Sequence, residues 1–264
     1  PLLFTPGEHY NYANLNFVLL GLIVENISGV SFDTYLNNNV LDPLGMTSTA
    51  PSTLPLTDTP NSSLAYRHVT EGEVEGEFEC IVFDDPPTGC NTAPPENIKC
   101  ARIAEDDLTA PFQSFTAGYL ATTHNDMARL EKAYHDLSPI LLTLPTYEEM
   151  WTNQRLNNGD FEVFGLGWVV CSDLDDFLAC PVAVDPLIGA DPSNPEPFDF
   201  EGHTGRIVQK DGGVAGFATQ IVRYLDDGLT VYVNINITNK EPESIAFAPL
   251  QLAAEVADTI RANQ

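Results

Sequence analysis

The residue pattern predicts an α/β protein in the α+β sense: an antiparallel sheet flanked by helices, with a mainly helical subdomain built from the earlier residues. Three stretches carry this expectation. Phe17 to Val24 is apolar or small at eight consecutive positions, which predicts a helix lying in a core. Phe217 to Leu225 and Leu229 to Asn236, joined by Asp226-Asp227-Gly228, predict a hairpin; in its second arm Leu229, Val231, Val233 and Ile235 alternate with Thr230, Tyr232, Asn234 and Asn236, as in a strand buried on one side. Leu252, Val256 and Ile260, with Ala253 and Ala257 beside them, form the stripe of an amphipathic helix packing on that sheet. A chain of 264 residues can bury a sizeable core as one large domain or as two interleaved subdomains.

In chain order, Pro6-Gly7 reads as a turn and places Tyr12-Ala13-Asn14 at the entrance of the first helix, which Gly29 caps. A second helix ends at Pro43 and Gly45. Read alone, Asn14 would be a helix N-cap and Tyr12 a half-buried core tyrosine. Thr47 to Pro111 carries little regular signal and is rich in proline, with an acidic run around Glu71 to Glu79. Ala117-Gly118 suits close packing, and His124 reads as a surface residue. Thr123 with Asp126 makes a capping-box-like helix start, and Thr146 with Glu149 repeats it before Met150-Trp151. Phe161 to Cys171 reads as a strand. Asp173 to Asp199 reads as an irregular solvated loop; it is acidic enough to suggest calcium but lacks the DxDxDG order. Arg206 to Gln209 reads as a strand leading into Lys210-Asp211-Gly212-Gly213.

Charge excludes some partners. The 38 acidic residues against 11 basic ones leave a formal net charge of -27, a surface that repels nucleic acid and anionic membranes and suits a saline medium. The 43% hydrophobic content is ordinary, and no run reaches the ~18 apolar residues of a membrane span. Five cysteines point to an extracytoplasmic protein: Cys80, Cys90 and Cys100 lie in the proline-rich stretch, and Cys171 and Cys180 flank a short acidic segment that suits a local disulfide. No CxxC or HxxxH spacing supports zinc, and no cofactor or metal is expected. Asn26, Asn61 and Asn236 begin glycosylation sequons.

The ordered set Pro6-Gly7, Tyr12, Asn14, Leu20-Gly21, Glu25, Ser28-Gly29 and Pro43 to Met46 resembles the serine β-lactamase-like hydrolases: class C β-lactamases, D-alanyl-D-alanine peptidases and related esterases. Ser114 to Tyr134 is similar to the family's Ala-Gly-Gly-Leu segment and following helix, and Gly165-Leu166-Gly167-Trp168 to its Gly-Leu-Gly-Trp strand. Lys210, with Gly216 and Phe217 six and seven residues on, keeps the register of the family's edge-strand Lys-Thr-Gly, whereas His203-Thr204-Gly205 has Gln209 where the glycine should stand. The resemblance implies a β-lactamase/transpeptidase-like fold over 1-264 with an incomplete sheet. Its mainly helical portion would be 1-160, with a variable loop at 47-111 shaping the pocket entrance, and its sheet and C-terminal helix portion 161-264.

It also implies acyl-enzyme hydrolysis of an ester, amide or peptide, on a small-molecule or peptide substrate. Tyr12 would be general base or acid and Asn14 would orient the family's lysine and the substrate amide. Lys210 would favour the Tyr12 phenolate and draw in a carboxylate-bearing substrate, and Gly213 would donate its backbone N–H to the oxyanion. Asp211 and Gly212 complete the substrate-binding triplet, with Asp211 standing where threonine or glycine is usual. The family's Ser-x-x-Lys is absent: the residues three before Lys99, Lys132, Lys210 and Lys240 are Glu96, Arg129, Ile207 and Ile237. The chain is therefore expected to be a fragment whose nucleophile lies in a missing N-terminal segment, inactive and poorly stable alone. The alternative is a non-catalytic binding or structural protein of the same fold, against which the joint presence of Tyr12, Asn14 and Lys210 speaks.

Overall fold

A computed structural model describes residues 3–51, 63, 66–69, 99–102, 116–118, 120–162, 164–171, 179–181, 197–199, 205–214, 217–238 and 247–263. Outside these lie Cys80, Cys90, the acidic run 71–79, most of 173–199, Asn61, His203-Thr204, Gly216 and Lys240. The chain forms α1 (Asn14–Ser28), α2 (Phe32–Leu36), a π turn (Asn37–Leu41), α3 (Asp42–Leu44) and the short strands β1 (Ala50–Pro51), β2 (Tyr66–Val69), β3 (Lys99–Arg102) and β4 (Leu120–Ala121). Then come α4 (His124–His135), α5 (Leu144–Met150), β5 (Val169–Cys171), β6 (Ala179–Pro181), β7 (Pro197–Asp199), β8 (Ile207–Val214), β9 (Phe217–Tyr224), β10 (Leu229–Ile235), β11 (Ile237–Thr238) and α6 (Phe247–Ala262).

The principal sheet is antiparallel with order β10-β9-β8-β5. Because successive strand residues point to opposite faces, Val169 and Ile207 enter one core while their neighbours Val170 and Val208 enter another. The first core joins Val222, Tyr224, Val231 and Val233 to α6; the second joins Tyr147, Met150 and Trp151 from α5 and its end. The predicted hairpin is present, with its turn at 225–228. The C-terminal helix packs as expected but on a different stripe. Ala253, Ala254 and Ala257 are buried, whereas Leu252, Val256 and Ile260 are exposed. Alanines let the helix approach a sheet face already filled by valines and Tyr224, where larger side chains would hold it off.

Other expectations change for local reasons. Gly29 caps α1 in the left-handed region (φ 73°) and Gly45 caps α3 likewise (φ 68°). Pro43 lies inside the last turn, not beyond it, and a π turn precedes it. Phe161 to Cys171 is not one strand: Phe161 and Phe164 make single bridges, Gly165 N–H donates to Trp168 O across a turn, and among the described residues of this stretch only Val169–Cys171 is a strand. A Cβ on Gly165 would stand 2.2 Å from the Met150 carbonyl oxygen, and Gly167 has φ +83°, so both glycines are required by the turn. Helix α5 starts from Thr143 with Pro145 in its first turn, which leaves Thr146 inside the helix. Gly118 has a left-handed backbone (φ +134°), and among the described residues nothing stands within 4 Å of where its Cβ would be.

The largest departure concerns α1, which is not enclosed in a core. It packs through Gly21 against Thr116, through Phe17 beside Gly167, and through Glu25, whose carboxylate accepts the Phe32 N–H at 2.8 Å. Leu15, Leu19, Leu20, Leu22, Ile23 and Ile27 stay exposed, because a helix apolar all round needs cover all round and these contacts supply it on one side. No single helix among the described residues is long and apolar enough to cross a membrane; α1 and the helices to Leu44 reach that length and composition only as a pair bent by 77°.

Two buried charges tie α4 down. Thr123 caps it, its hydroxyl accepting from Asp126 N–H, but the Asp126 carboxylate does not return the bond. It accepts instead from Ser48 N–H at 2.7 Å, Thr49 Oγ1 at 2.9 Å and Arg129 at 2.7 Å. Burial pushes the Asp126 carboxyl up, but the Thr49 and Ser48 hydrogen bonds and Arg129 outweigh it and hold its pKa below the ordinary value. A depressed folded pKa contributes stability that is present above the unfolded value of ~4 and lost as pH falls through the folded one. Asp126→Asn should therefore melt lower than the parent at pH 7, with the gap narrowing in denaturation series carried down through pH 3. Glu131 of α4, also buried, receives Arg223 of β9 in a two-pronged ion pair.

Candidate active site

The arm before α1 is fixed by its turn. Gly7 (φ +86°) lets the backbone fold where a Cβ would stand 2.6 Å from Asn157, and Asn157 holds the turn by donating from its backbone to Gly7 O (2.8 Å) and from its amide to Pro6 O (2.9 Å). From there the arm runs along the Phe161–Phe164 segment, where Tyr10 stacks on Phe164 with ring centroids 4.3 Å apart and planes 11° from parallel. Tyr12 follows, half-buried, just before the helix. Asn14 is the first residue of α1 and not its cap: the cap position is Ala13, with no side-chain hydrogen bond. Its amide is thus not used in capping.

Lys210 to Gly213 lie within β8, which runs unbroken from Ile207 to Val214 instead of ending at Gln209. Beyond Gln209 the strand is paired only with β9 among the described residues, because β5 stops at Val169. Among the described residues that leaves an edge at which an extended acyl compound could hydrogen-bond to backbone. Gly212 is filled on one side by Thr219, whose hydroxyl donates to Gly212 O and stands 2.6 Å from where a Cβ would be. Gly213 pairs with Ala218 and is half-buried.

From opposite ends of the chain, Tyr12 and Lys210 meet: Lys210 Nζ lies 6.0 Å from the centroid of the Tyr12 ring, at the outer limit of a cation–π contact. The ammonium also donates to Asp211 O at 2.7 Å and Asp211 Oδ1 at 2.8 Å. Burial, then the neighbouring Tyr12, Glu162 and Asp211, push the Tyr10 phenol above its ordinary value. Tyr10 is thus held protonated at neutral pH. His124 is exposed and lies against the Tyr232 ring.

Sequence reasoning missed Tyr10, Glu162 and Phe164 as surroundings of Tyr12: Tyr10 stacks on Phe164, and Tyr12 and Glu162 both act on its phenol. A separate cleft lined by Pro43, Leu44, Arg129, Lys132 and Asp136 contains none of these residues, and its Lys132 is paired with Asp136. The arrangement at β8 can hold a phenol beside an ammonium at a strand edge, which are parts for proton transfer next to a backbone-bound acyl group.

A family model described as Beta-lactamase matches residues 1–255. Penicillin-binding protein 4* of Bacillus subtilis (strain 168) is 24% identical over 252 residues, which cover 96% of this chain and 44% of that protein. The chain thus spans less than half the length of this curated relative. Among solved structures, the D-amino acid amidase from Ochrobactrum anthropi SV3 superposes with a TM-score of 0.61 at 15% identity, over 97% of this chain and 60% of its own. The octameric penicillin-binding protein homologue from Pyrococcus abyssi superposes with a TM-score of 0.60 at 18% identity, over 98% and 44%. At these identities the structural likeness speaks for the shared fold.

Proposed function

The chain belongs to the Beta-lactamase family, and on that premise we propose that it is part of a serine hydrolase that hydrolyses an ester, amide or peptide through an acyl-enzyme. The observation that carries this reading is the meeting of Tyr12 and Lys210. A serine hydroxyl is a poor nucleophile at neutral pH and needs a neighbouring base. Tyr12 takes the serine proton as the serine oxygen bonds the acyl carbon, then passes it to the leaving group as the old acyl bond breaks. Water attacks the acyl-enzyme in the second half, with the same groups reversed. Asn14 orients the substrate amide, Lys210 lends positive potential, and the Gly213 N–H faces the oxyanion.

The nucleophile comes from a Ser-x-x-Lys segment of the protein outside this chain, since none of its four lysines has a serine three residues before it. The uncovered apolar side of α1 supports this, being a surface that further protein would bury. The protein works outside the cytoplasm, a reading supported by the disulfide-bonded Cys171 and the acidic surface. Assays of the full-length protein against an activated ester, a D-amino acid amide and a β-lactam test the reading. Turnover of at least one class is expected from the whole protein and of none from this chain alone. A full-length protein that turns over none of the three would instead be a binding protein of this fold.

A further inference from the structure

Lys210 and Asp211 are consecutive in β8, and consecutive strand residues send their side chains to opposite faces. The register with β9 is regular from Ile207 to Val214, so Lys210 shares the face of Val208, and Asp211 that of Ile207 and Gln209. Yet the two side chains meet: Lys210 Nζ donates to Asp211 Oδ1 at 2.8 Å and to Asp211 O at 2.7 Å. They can do so only round an edge of the strand. One edge is closed by β9; among the described residues the other is open beyond Val169 of β5, the edge offered to an acyl compound. The ammonium is thereby drawn to that edge, 6.0 Å from the centroid of the Tyr12 ring, with the side chains of the pair only 28% and 18% exposed. Untethered, a charge on lysine's long flexible stem would spread over many rotamers and stand in this place only part of the time.

We infer that Asp211 is a positioning residue: its carboxylate acts through Lys210, holding the ammonium at the β8 edge beside Tyr12, and does not bind substrate. The inference rests on the acyl-transfer reading and adds to it a residue which that reading leaves without a role. The pair is neutral as a whole, so what Asp211 supplies is the place of a donor and not a net charge. A donor fixed before the reaction begins costs no reordering when the proton moves.

The test is a double-variant cycle in the full-length protein, read as the single-turnover acylation rate constant and the half-saturating concentration for a p-nitrophenyl ester. A D-amino acid p-nitroanilide or a chromogenic β-lactam takes its place where the ester does not react. Asp211→Ala, which leaves the ammonium only the main-chain acceptor, should lower the rate constant about tenfold and move half-saturation by less than about twofold. Asp211→Asn, whose amide oxygen still accepts from Nζ, should keep most of the rate. With Lys210→Met already in place, Asp211→Ala should cost nothing further. Burst amplitude counts folded sites, so a variant that folds poorly loses amplitude and not the rate constant per site. An Asp211→Ala loss of the same size with and without Lys210, a loss confined to half-saturation, or no loss at all overturns the inference and leaves the hydrolase reading intact. A parent acylated by none of the three classes overturns the hydrolase reading, and this inference with it.

Discussion

Tyr12→Phe in the full-length protein should slow acyl-enzyme formation by about 10²–10⁴-fold, the range expected when a positioned proton-transfer group is lost. The substitution keeps the ring, and with it the contact to Lys210 and the entrance to α1, so only the hydroxyl is tested. Its neighbour Tyr10 is the natural control. Its phenol is held protonated by burial and by adjacent negative groups, and its ring is anchored on Phe164. Tyr10→Phe should therefore cost far less than Tyr12→Phe in stopped-flow acylation. Equal losses from the two would show that the tyrosines matter for packing and not for proton transfer.

Arg223→Met should destabilise the fold by about 3–5 kcal/mol, the cost of leaving a buried charge without its partner. Arg223 donates from Nε to Glu131 Oε2 at 2.7 Å and from Nη2 to Glu131 Oε1, with side chains 4% and 11% exposed. Its guanidinium also lies 4.2 Å from the Tyr134 ring centroid and 4.1 Å from that of Trp168. Methionine fills the space but leaves the Glu131 carboxylate buried between α4 and β9. The double variant Arg223→Met with Glu131→Leu should recover much of the loss, because removing both charges of a buried pair is often nearly neutral. Urea denaturation of the two variants and the parent measures both effects.

The approach of Lys210 to Tyr12 was legible in the sequence because each sits in a short motif with a fixed register to its neighbours. The hairpin was legible because period-two alternation and an Asp-Asp-Gly turn state a strand pair directly. Periodicity did not reveal that α1 is covered on one side only, since it reports how apolar each face is and not whether a partner reaches it. Gly165-Leu166-Gly167-Trp168 was mistaken for continuous strand because a glycine needed for a turn and one tolerated in a strand look alike until the Met150 carbonyl is placed against it. The alanine stripe of α6 was passed over for the larger Leu252, Val256 and Ile260, although small residues are what close helix–sheet contact requires. Glu131 and Arg223 stand 92 residues apart with no motif to join them, so their pairing had no local signal. The Asp211 carboxylate, read as a departure from the family triplet, turned out to hold the lysine beside it.

The central claim is that Tyr12 and Lys210 form one part of an acyl-transfer site completed by a serine elsewhere in the protein. Its most direct test is to treat the full-length protein with a slowly released acylating ester and map the adduct by mass spectrometry, in the parent and in Tyr12→Phe. One acyl group per protein is expected, on a serine three residues before a lysine and outside this chain, formed far more slowly without the Tyr12 hydroxyl. An adduct on another residue type, or one on that serine formed at the same rate in Tyr12→Phe, would contradict it.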